Sequence, residues 1–524
     1  MDKSELKTHY DQFAPRREGW RRRNSYYHET LEELCRKVIP PGKAVLELGC
    51  ATGELLASVR PGLGVGVDLS PRMLEIARQK YPAYCFIQAD AERLPLRRVF
   101  DFVILSDLVG HLADVWEVLR SLEQVCGPET RVIVTTSSFA WRPALAIAEK
   151  LGLKMPQLRQ NWLDVADLEN LFHLTDFEVL ESGAGMLMPR RLPWLAERAN
   201  RWPRRRGGWL ARAALLNYFV VRPAPPAPAP GSESATCSVV VPCRNEAGNI
   251  AACVERTPAM GSHTELIFVD GDSTDGTVEE IRLQIERWRG RKDIKLIEQV
   301  PREGRAAARD TSANLMLKLG KGDAVRKGFA AASGEVLMIL DADLTVPPED
   351  LPKFFDAVVR GKGDFINGTR LVYPLADQAM KSLNLLGNKS FSWIFTWLLG
   401  QRIKDTLCGT KVLRKKDYLR IAANRHYFGE FDPFGDFDLL FGAARLGFKI
   451  VELPVRYQRR TAGESKVRVF RHGILLARMC LIGFWQLKAR PWLARLRRQP
   501  VSAPRRPPRV SAGVGLRREV RDDE

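Results

Sequence analysis

Between Arg222 and Thr236 the chain reads RPAPPAPAPGSESAT, a stretch of Pro, Ala, Ser and Gly with too little apolar side chain to bury. Such a segment runs as an extended spacer of the polyproline kind, so the sequence has to fold as two bodies. The first is expected over 1–222, the spacer over 223–236 and the second over 237–488. From Ala489 the chain turns Pro- and Arg-rich, and 489–524 reads as a basic disordered tail. On each side of the spacer, short β-branched runs alternate with amphipathic helical stretches. That alternation predicts α/β layers around a mainly parallel sheet.

The 524 residues are 45% apolar, enough for two cores, and this excludes disorder as a description of the whole. A formal net charge of +19 calls for an anionic partner: nucleic acid, a phosphate-rich substrate or an anionic membrane surface. The nine cysteines contain no CxxC pair and no His/Cys cluster, so neither a zinc site nor a disulfide framework is expected, and a reducing cytosol fits. No stretch near the start resembles a signal peptide. No later run reaches the roughly 18 to 20 apolar residues of a spanning helix. The expected location is cytoplasmic, peripheral at the inner face of the cell membrane.

In the first half, KAVLELGCATGELLASV predicts a strand ending at Glu47, a tight turn and a helix. Gly49 and Gly53 let the backbone approach a ligand, and Ala51 stands where a third glycine is common. LGVGVDLS ends in Asp68, a carboxylate suited to two ribose hydroxyls, and YCFIQADAERLPL leads to Asp90, suited to an adenine amino group. Acids at successive strand ends line the crevice where doubly wound sheets bind ligands. An acid ahead of the glycines and a further acid on a third strand argue against a nicotinamide-binding domain. The set resembles the class I S-adenosylmethionine-dependent methyltransferases of the small-molecule type, with the YDxFA element at Tyr10 to Ala14, over residues 8 to 222. The resemblance implies a Rossmann-like domain that binds S-adenosylmethionine through Glu47, Gly49, Gly53, Asp68 and Asp90. For Glu47 the plainer alternative is a capping acid, and for His111 a loop histidine rather than a base.

In the second half, CSVVVPCRNEAGNI predicts a strand followed by Pro242, Arg244, Asn245 and Glu246 at the mouth of a helix. ELIFVDGDSTDGT ends in Asp270, Asp272 and Asp275, a cluster suited to a base and ribose hydroxyls. LMILDADLTVPPEDL sets Asp341 and Asp343 one residue apart after an apolar strand. Two such carboxylates are stable together beside a hard divalent cation, Mg²⁺ or Mn²⁺, which keeps open positions for a diphosphate.

GKGDAVRKGF with Arg326, GTRLVYP with Arg370, KDTLCGTKVL, FGDFDLLFGAARLG with Asp436 and Asp438, and LPVRYQRRTAGESKV follow in order. This series resembles the family 2 glycosyltransferases of GT-A fold, closest to the dolichol-phosphate-mannose-synthase-like polyprenyl-phosphate enzymes, over residues 236 to 488. The resemblance implies a metal at Asp341 and Asp343 and catalytic roles for these two and Asp438. It implies donor contacts from Pro242, Arg244, Asn245, Glu246, Asp270, Asp272, Arg326 and Arg370. Arg456, Arg460, Ser465 and Lys466 are implied at the acceptor phosphate. Thr345 stands where mannose-transferring relatives often carry Gln, so the donor sugar does not carry over.

Ser390 to Gly400 and His472 to Arg490 are short, apolar and aromatic, fit to lie on a membrane beside a basic tail. The expected protein is a bifunctional enzyme. One half transfers a sugar from a nucleotide-sugar donor to a lipid phosphate, and the other transfers a methyl group to a small molecule or glycan. The alternatives are a hydroxyl acceptor with a scaffold-only methyltransferase half, or RNA binding. No RRM, KH or zinc-finger signature supports the last, and no nucleic acid is expected.

Overall fold

In the computed structural model, the described residues are 3–158, 160–161, 163–189, 200, 214–224, 234–299, 320–370, 372, 382–425, 437–458, 460 and 469–490. Ser465, Lys466, Asp436, most of the spacer and the 491–524 tail lie outside them. The first body is built on β1 (Ala44–Leu48), β2 (Leu63–Asp68), β3 (Cys85–Gln88), β4 (Phe100–Ser106), β5 (Cys126–Ser137), β6 (Phe177–Gly185) and β7 (Leu216–Pro223). They form one sheet in the order β3-β2-β1-β4-β5-β7-β6, parallel except at β7, which runs antiparallel to both neighbours.

The central strands read as near-continuous apolar runs because both faces are covered. Val45, Ile104 and Ile133 face one layer with Leu56 and Leu74. Leu46, Val103 and Leu105 face the other with Leu168 and Phe172. Side-chain caps start the covering helices: Ser70 Oγ accepts from Met73 N at 3.2 Å ahead of Pro71, and Asp164 and Asp167 form a reciprocal capping box.

The second body repeats the plan with β8 (Thr236–Cys243), β9 (His263–Asp270), β10 (Asp293–Glu298), β11 (Val336–Ile339), β12 (Phe365–Thr369), β13 (Lys411–Arg414) and β14 (Ile450–Pro454). The order is β10-β9-β8-β11-β13-β12-β14, with β13 antiparallel to β11 and β12. In each sheet the strand order reverses beside the first strand, at β1/β4 and at β8/β11, so each opens a crevice at its carboxyl edge.

The two bodies touch through ion pairs. Lys353 Nζ lies 2.8 Å from Asp114 and 3.3 Å from Glu117, Lys404 Nζ lies 2.6 Å from Asp167, and Arg360 lies 3.2 Å from Asp176. The apolar segments noted in the sequence fall in helices Ser382–Leu399 and Val469–Phe484, the latter continuing as a π-turn over Trp485–Ala489. Among the described residues no helix is long and apolar enough to cross a membrane.

Candidate active sites

At the carboxyl edge of the first sheet lies a cavity of about 770 Å³ whose walls include Glu47, Gly49, Ala51, Asp68 and Asp90. Its floor is the turn after β1, where Gly49 and Gly53 sit at φ +71° and +82°. A Cβ on Gly49 would come within 2.9 Å of Leu108 Cδ1, so the turn is tight as well as left-handed. Ala51 also takes positive φ, +47°, carrying a side chain where glycine would be free of strain. Gly53 is not part of the wall; it precedes helix Glu54–Ser58, with Phe86 against it.

The three acids at this edge are engaged by peptide donors. Glu47 Oε2 accepts from Leu56 N at 2.9 Å, which is the capping role, and burial pushes its carboxyl up to about 8. Asp68 accepts from Ala51 N at 2.8 Å and Ser70 N at 2.9 Å, and burial raises its pKa against those bonds. Asp90 accepts from Glu92 N at 3.0 Å and also pairs with Lys3 on the N-terminal helix.

That helix covers the turn. Tyr10 reaches His111 Nδ1 at 3.3 Å, Asp11 accepts from Ser70 Oγ at 2.6 Å, and Ala14 packs on Ala51 and Met73. His111 meets Gln160 Nε2 at 3.1 Å through its own Nε2, and burial lowers it to about 4, so it is a neutral, clamped ring near pH 7.

Two features of the wall escape the motif reading. Asp107, directly after β4, holds φ +53° and accepts from Tyr27 Oη at 2.7 Å, while its Oδ1 is buried without a partner. Arg17, three residues past Ala14, also lines the cavity. The position of Asp107 at a strand's carboxyl end next to β1 was the available signal; Arg17 had none.

In the second sheet, Asp341 and Asp343 follow β11 as expected. Lys321 Nζ lies 2.7 Å from Asp341 Oδ1, and Arg460 lies 2.6 Å from Asp343 Oδ2. Asp343 Oδ1 also accepts from Thr345 N at 3.1 Å and Thr345 Oγ1 at 2.8 Å, so Thr345 orients the acid. The loop before β13 presses on the pair, since a Cβ on Gly409 would fall 1.9 Å from Asp341 Oδ2. Burial favours the neutral Asp341, but Lys321, Lys411 and Arg370 outweigh it and hold the carboxyl below its ordinary range.

Arg370 is spoken for. Its guanidinium forks onto Asp405 at 2.7 and 2.8 Å and lies over Tyr457, 5.2 Å from the ring centre.

The ends of β8 and β9 are laced together. Asn245 N donates to Ser273 Oγ at 2.9 Å and Asn245 Oδ1 accepts from Thr274 N at 2.9 Å. Glu246 N donates to Thr277 Oγ1 at 2.9 Å and Asp270 accepts from Ser273 N at 3.1 Å. Asn245 and Asp272 take positive φ, +52° and +62°. Asp275 accepts from Ala247 N and Thr277 N, both at 3.1 Å, which makes it a brace between the two loops. Pro242 is within β8 opposite Val269, Arg244 is exposed, and Arg326 is half-buried on helix Lys321–Ala331.

Asp438 is buried in the first turn of helix Phe437–Arg445, 3.2 Å from Arg425 Nε. Arg456 is 3.5 Å from Asp114 of the first body. Among the described residues no group of three or more His, Cys, Asp or Glu forms a ready metal cage. The Asp341/Asp343 pair nonetheless supplies oxygen ligands alone, which fit a hard cation that would take over from Lys321 and Arg460 as counter-charge.

Residues 20–182 match the methyltransferase domain family, and residues 238–316 and 317–420 match glycosyl transferase family 2. Among curated proteins the chain is 27% identical over 250 residues to a dolichol-phosphate mannosyltransferase of Pyrococcus furiosus, covering 44% of this chain and 59% of that one. It is 28% identical to a dolichyl-phosphate hexose transferase of Haloferax volcanii, covering 44% of this chain and 85% of the relative. A SAM-dependent methyltransferase of Thermotoga maritima, titled a possible histamine N-methyltransferase, is 18% identical with a TM-score of 0.33, covering 41% of this chain and 99% of that structure. The chain thus carries a methyltransferase domain in its N-terminal half and a family 2 glycosyl transferase domain in its C-terminal half.

Proposed function

We propose that the C-terminal domain transfers a sugar from a nucleotide-sugar donor to a polyprenyl phosphate or related lipid by inverting displacement. The N-terminal domain, divided from it near 223–236, methylates a small molecule or glycan. The observation that carries the first reading is the Asp341/Asp343 pair at the end of β11, balanced by Lys321 and Arg460. The names of the relatives, dolichol-phosphate and dolichyl-phosphate sugar transferases, supply the acceptor class.

Asn245, Glu246, Asp270 and Asp272 would bind the nucleoside, with Pro242 and Arg244 at the same edge. Asp341 and Asp343 would hold Mg²⁺ or Mn²⁺, which supplies charge neutralisation at the leaving diphosphate. Lys321, Arg326 and Arg460 would face phosphate oxygens, for which guanidinium and ammonium groups are suited. Arg370 would act by holding the 405–411 loop against Asp341 through Asp405. Arg456, Ser465 and Lys466 remain assigned to the acceptor phosphate. A lipid monophosphate has a second pKa of about 6 and attacks already ionised, so Asp438 would serve as a base only for a hydroxyl acceptor.

Access to such a lipid fits the outer face of helices Ser382–Leu399 and Val469–Phe484. Trp393, Trp397, Leu481, Phe484 and Trp485 are exposed there, and Lys488 lies 5.6 Å from the Trp397 ring centre. Neither helix contains an acidic residue, as suits docking on anionic lipid from the cytoplasmic side. In the N-terminal domain, Glu47, Gly49, Asp68 and Asp90 would line the S-adenosylmethionine site, with Gly53 turning the chain beneath it.

The test is transfer by the purified protein from a panel of nucleotide sugars to undecaprenyl phosphate, with and without Mn²⁺ or Mg²⁺, alongside Asp343→Ala. Metal-dependent lipid-linked sugar that vanishes in the variant is the expected result. Sugar transfer to a hydroxyl acceptor, with none to the lipid phosphate, would overturn the acceptor assignment.

A further inference from the structure

Within the N-terminal cavity, no acid among the described residues is bonded to Arg17. It follows the Ala14–Arg16 turn and lines the cavity beside Glu47, Gly49, Ala51 and Asp68. Its Nε donates to Thr52 Oγ1 at 3.2 Å. The Thr52 hydroxyl gives its own proton to Glu54 Oε2 at 2.6 Å, so a lone pair on that oxygen is what fixes the guanidinium plane. Among the described residues the two terminal nitrogens of Arg17 make no hydrogen bond and no ion pair.

The acids that feel its charge are Glu47, Glu54, Asp68 and Asp107, and each has another donor, Tyr27 Oη at 2.7 Å in the case of Asp107, whose second oxygen stays unpartnered. Glu47 takes Leu56 N, Asp68 takes Ala51 N and Ser70 N, and Glu54 takes Thr52 and Lys80, the last at 2.8 Å. A half-buried guanidinium, held by Nε with its outer edge free, is a receptor for a carboxylate, which matches that edge with two parallel hydrogen bonds.

We propose that Arg17 binds the carboxylate at the amino-acid end of S-adenosylmethionine, an assignment that rests on the reading of this cavity as the cofactor site. Asp68 and Asp90 then hold the nucleoside end and Arg17 the other, so both ends of the cofactor are fixed. The turn directly before Arg17 carries Ala14, packed on Ala51, which ties the receptor to the floor of the site.

The experiment is titration calorimetry on the full chain with S-adenosylmethionine and with its decarboxylated form, which lacks only the carboxylate. Wild type is expected to prefer the intact cofactor by about tenfold to a hundredfold, the range of a charge-assisted pair. Arg17→Gln should weaken intact cofactor to the level of the decarboxylated form and leave the latter unchanged. Arg17→Lys should keep part of the preference, and the exposed neighbour substitution Arg16→Gln should keep all of it. A preference that survives in Arg17→Gln, or an equal loss for both ligands, overturns the assignment. Failure of the wild-type chain to bind either ligand would instead remove the cofactor reading on which it rests.

Discussion

Strands β3-β2-β1-β4 of the first sheet and β10-β9-β8-β11 of the second run in the same order, all parallel, so each sheet opens its crevice at the equivalent place. The acids at those edges are answered differently. Glu47 and Asp68 are held by peptide N–H groups of the chain that turns beneath them. Asp341 and Asp343 also face the ends of two long basic side chains. A peptide donor cannot leave without unfolding the turn, whereas a lysine or arginine head can swing away and be replaced. The first arrangement therefore makes a permanent shape, and the second makes a charge balance that a cation can take over.

The largest effect should come from the exchangeable pair. Asp343→Ala would remove one of the two proposed oxygen ligands, and metal-dependent sugar transfer should fall by about a thousandfold, the upper range for losing one electrostatic stabiliser. Equilibrium unfolding should move little by comparison, because Asp343 is not fully enclosed and Arg460 can return to water. A variant that lost stability but kept transfer would reverse the distinction drawn here.

Not every side-chain partner is exchangeable, and Arg370 with Asp405 marks the boundary. Asp405 is fully buried and Arg370 nearly so, with the fork and an added bond from Arg370 N at 3.0 Å. Asp405→Ala would strand a buried guanidinium, a change that costs about 3 to 5 kcal/mol in such pairs. Urea denaturation would measure it. A loss below about 1 kcal/mol would mean the pair opens to solvent and belongs with the exchangeable group.

Glu47 tests the backbone-held class by pH. Its native carboxyl titrates near 8 against an ordinary 4.5, so between those values the folded chain binds more protons than the unfolded one. Its contribution to stability is therefore best below about pH 4.5 and declines as pH rises to about 8. Glu47→Gln removes that decline, so the variant should gain on wild type steadily through this window when unfolding is followed without added cofactor. An unchanging difference would show that Leu56 N and nearby charge already keep the group ionised.

Much of this arrangement was legible from the chain itself. Apolar runs ending in Glu47, Asp68, Asp270 and Asp341 announced strands with acids at their carboxyl edges, since both strand burial and edge polarity are local properties. The order of the antiparallel strands β7 and β13 was not legible, because it depends on which long connection returns to which edge. Site details were divided in the same way. Asp341 and Asp343 could be chosen from spacing, but the commitment of Arg370 to Asp405, 35 residues away, required the fold. Arg456 stood in a basic motif yet meets Asp114 across the two bodies, a contact no local pattern encodes. Asp107 offered one readable signal, its place at the carboxyl end of β4, but what sets it apart is tertiary: a left-handed backbone and an oxygen left without a partner.

The smallest expected effect concerns the floor of the first crevice. Ala51 holds φ +47°, a conformation that costs a side chain about 1 kcal/mol and costs glycine almost nothing. Its methyl is buried against Ala14 and Met73, however, and a buried methyl contributes about 0.8 kcal/mol. Glycine also adds freedom to the unfolded chain, worth a further 0.5 to 1 kcal/mol or so against it. Ala51→Gly should therefore leave stability within about 1 kcal/mol of wild type by denaturant titration, with Ala51 N still donating to Asp68. A gain well beyond that would mean the strain is larger than the packing it secures. The turn would then be held in shape chiefly by the N-terminal segment resting on it, and removing Ala14's methyl should loosen it in the same measurement.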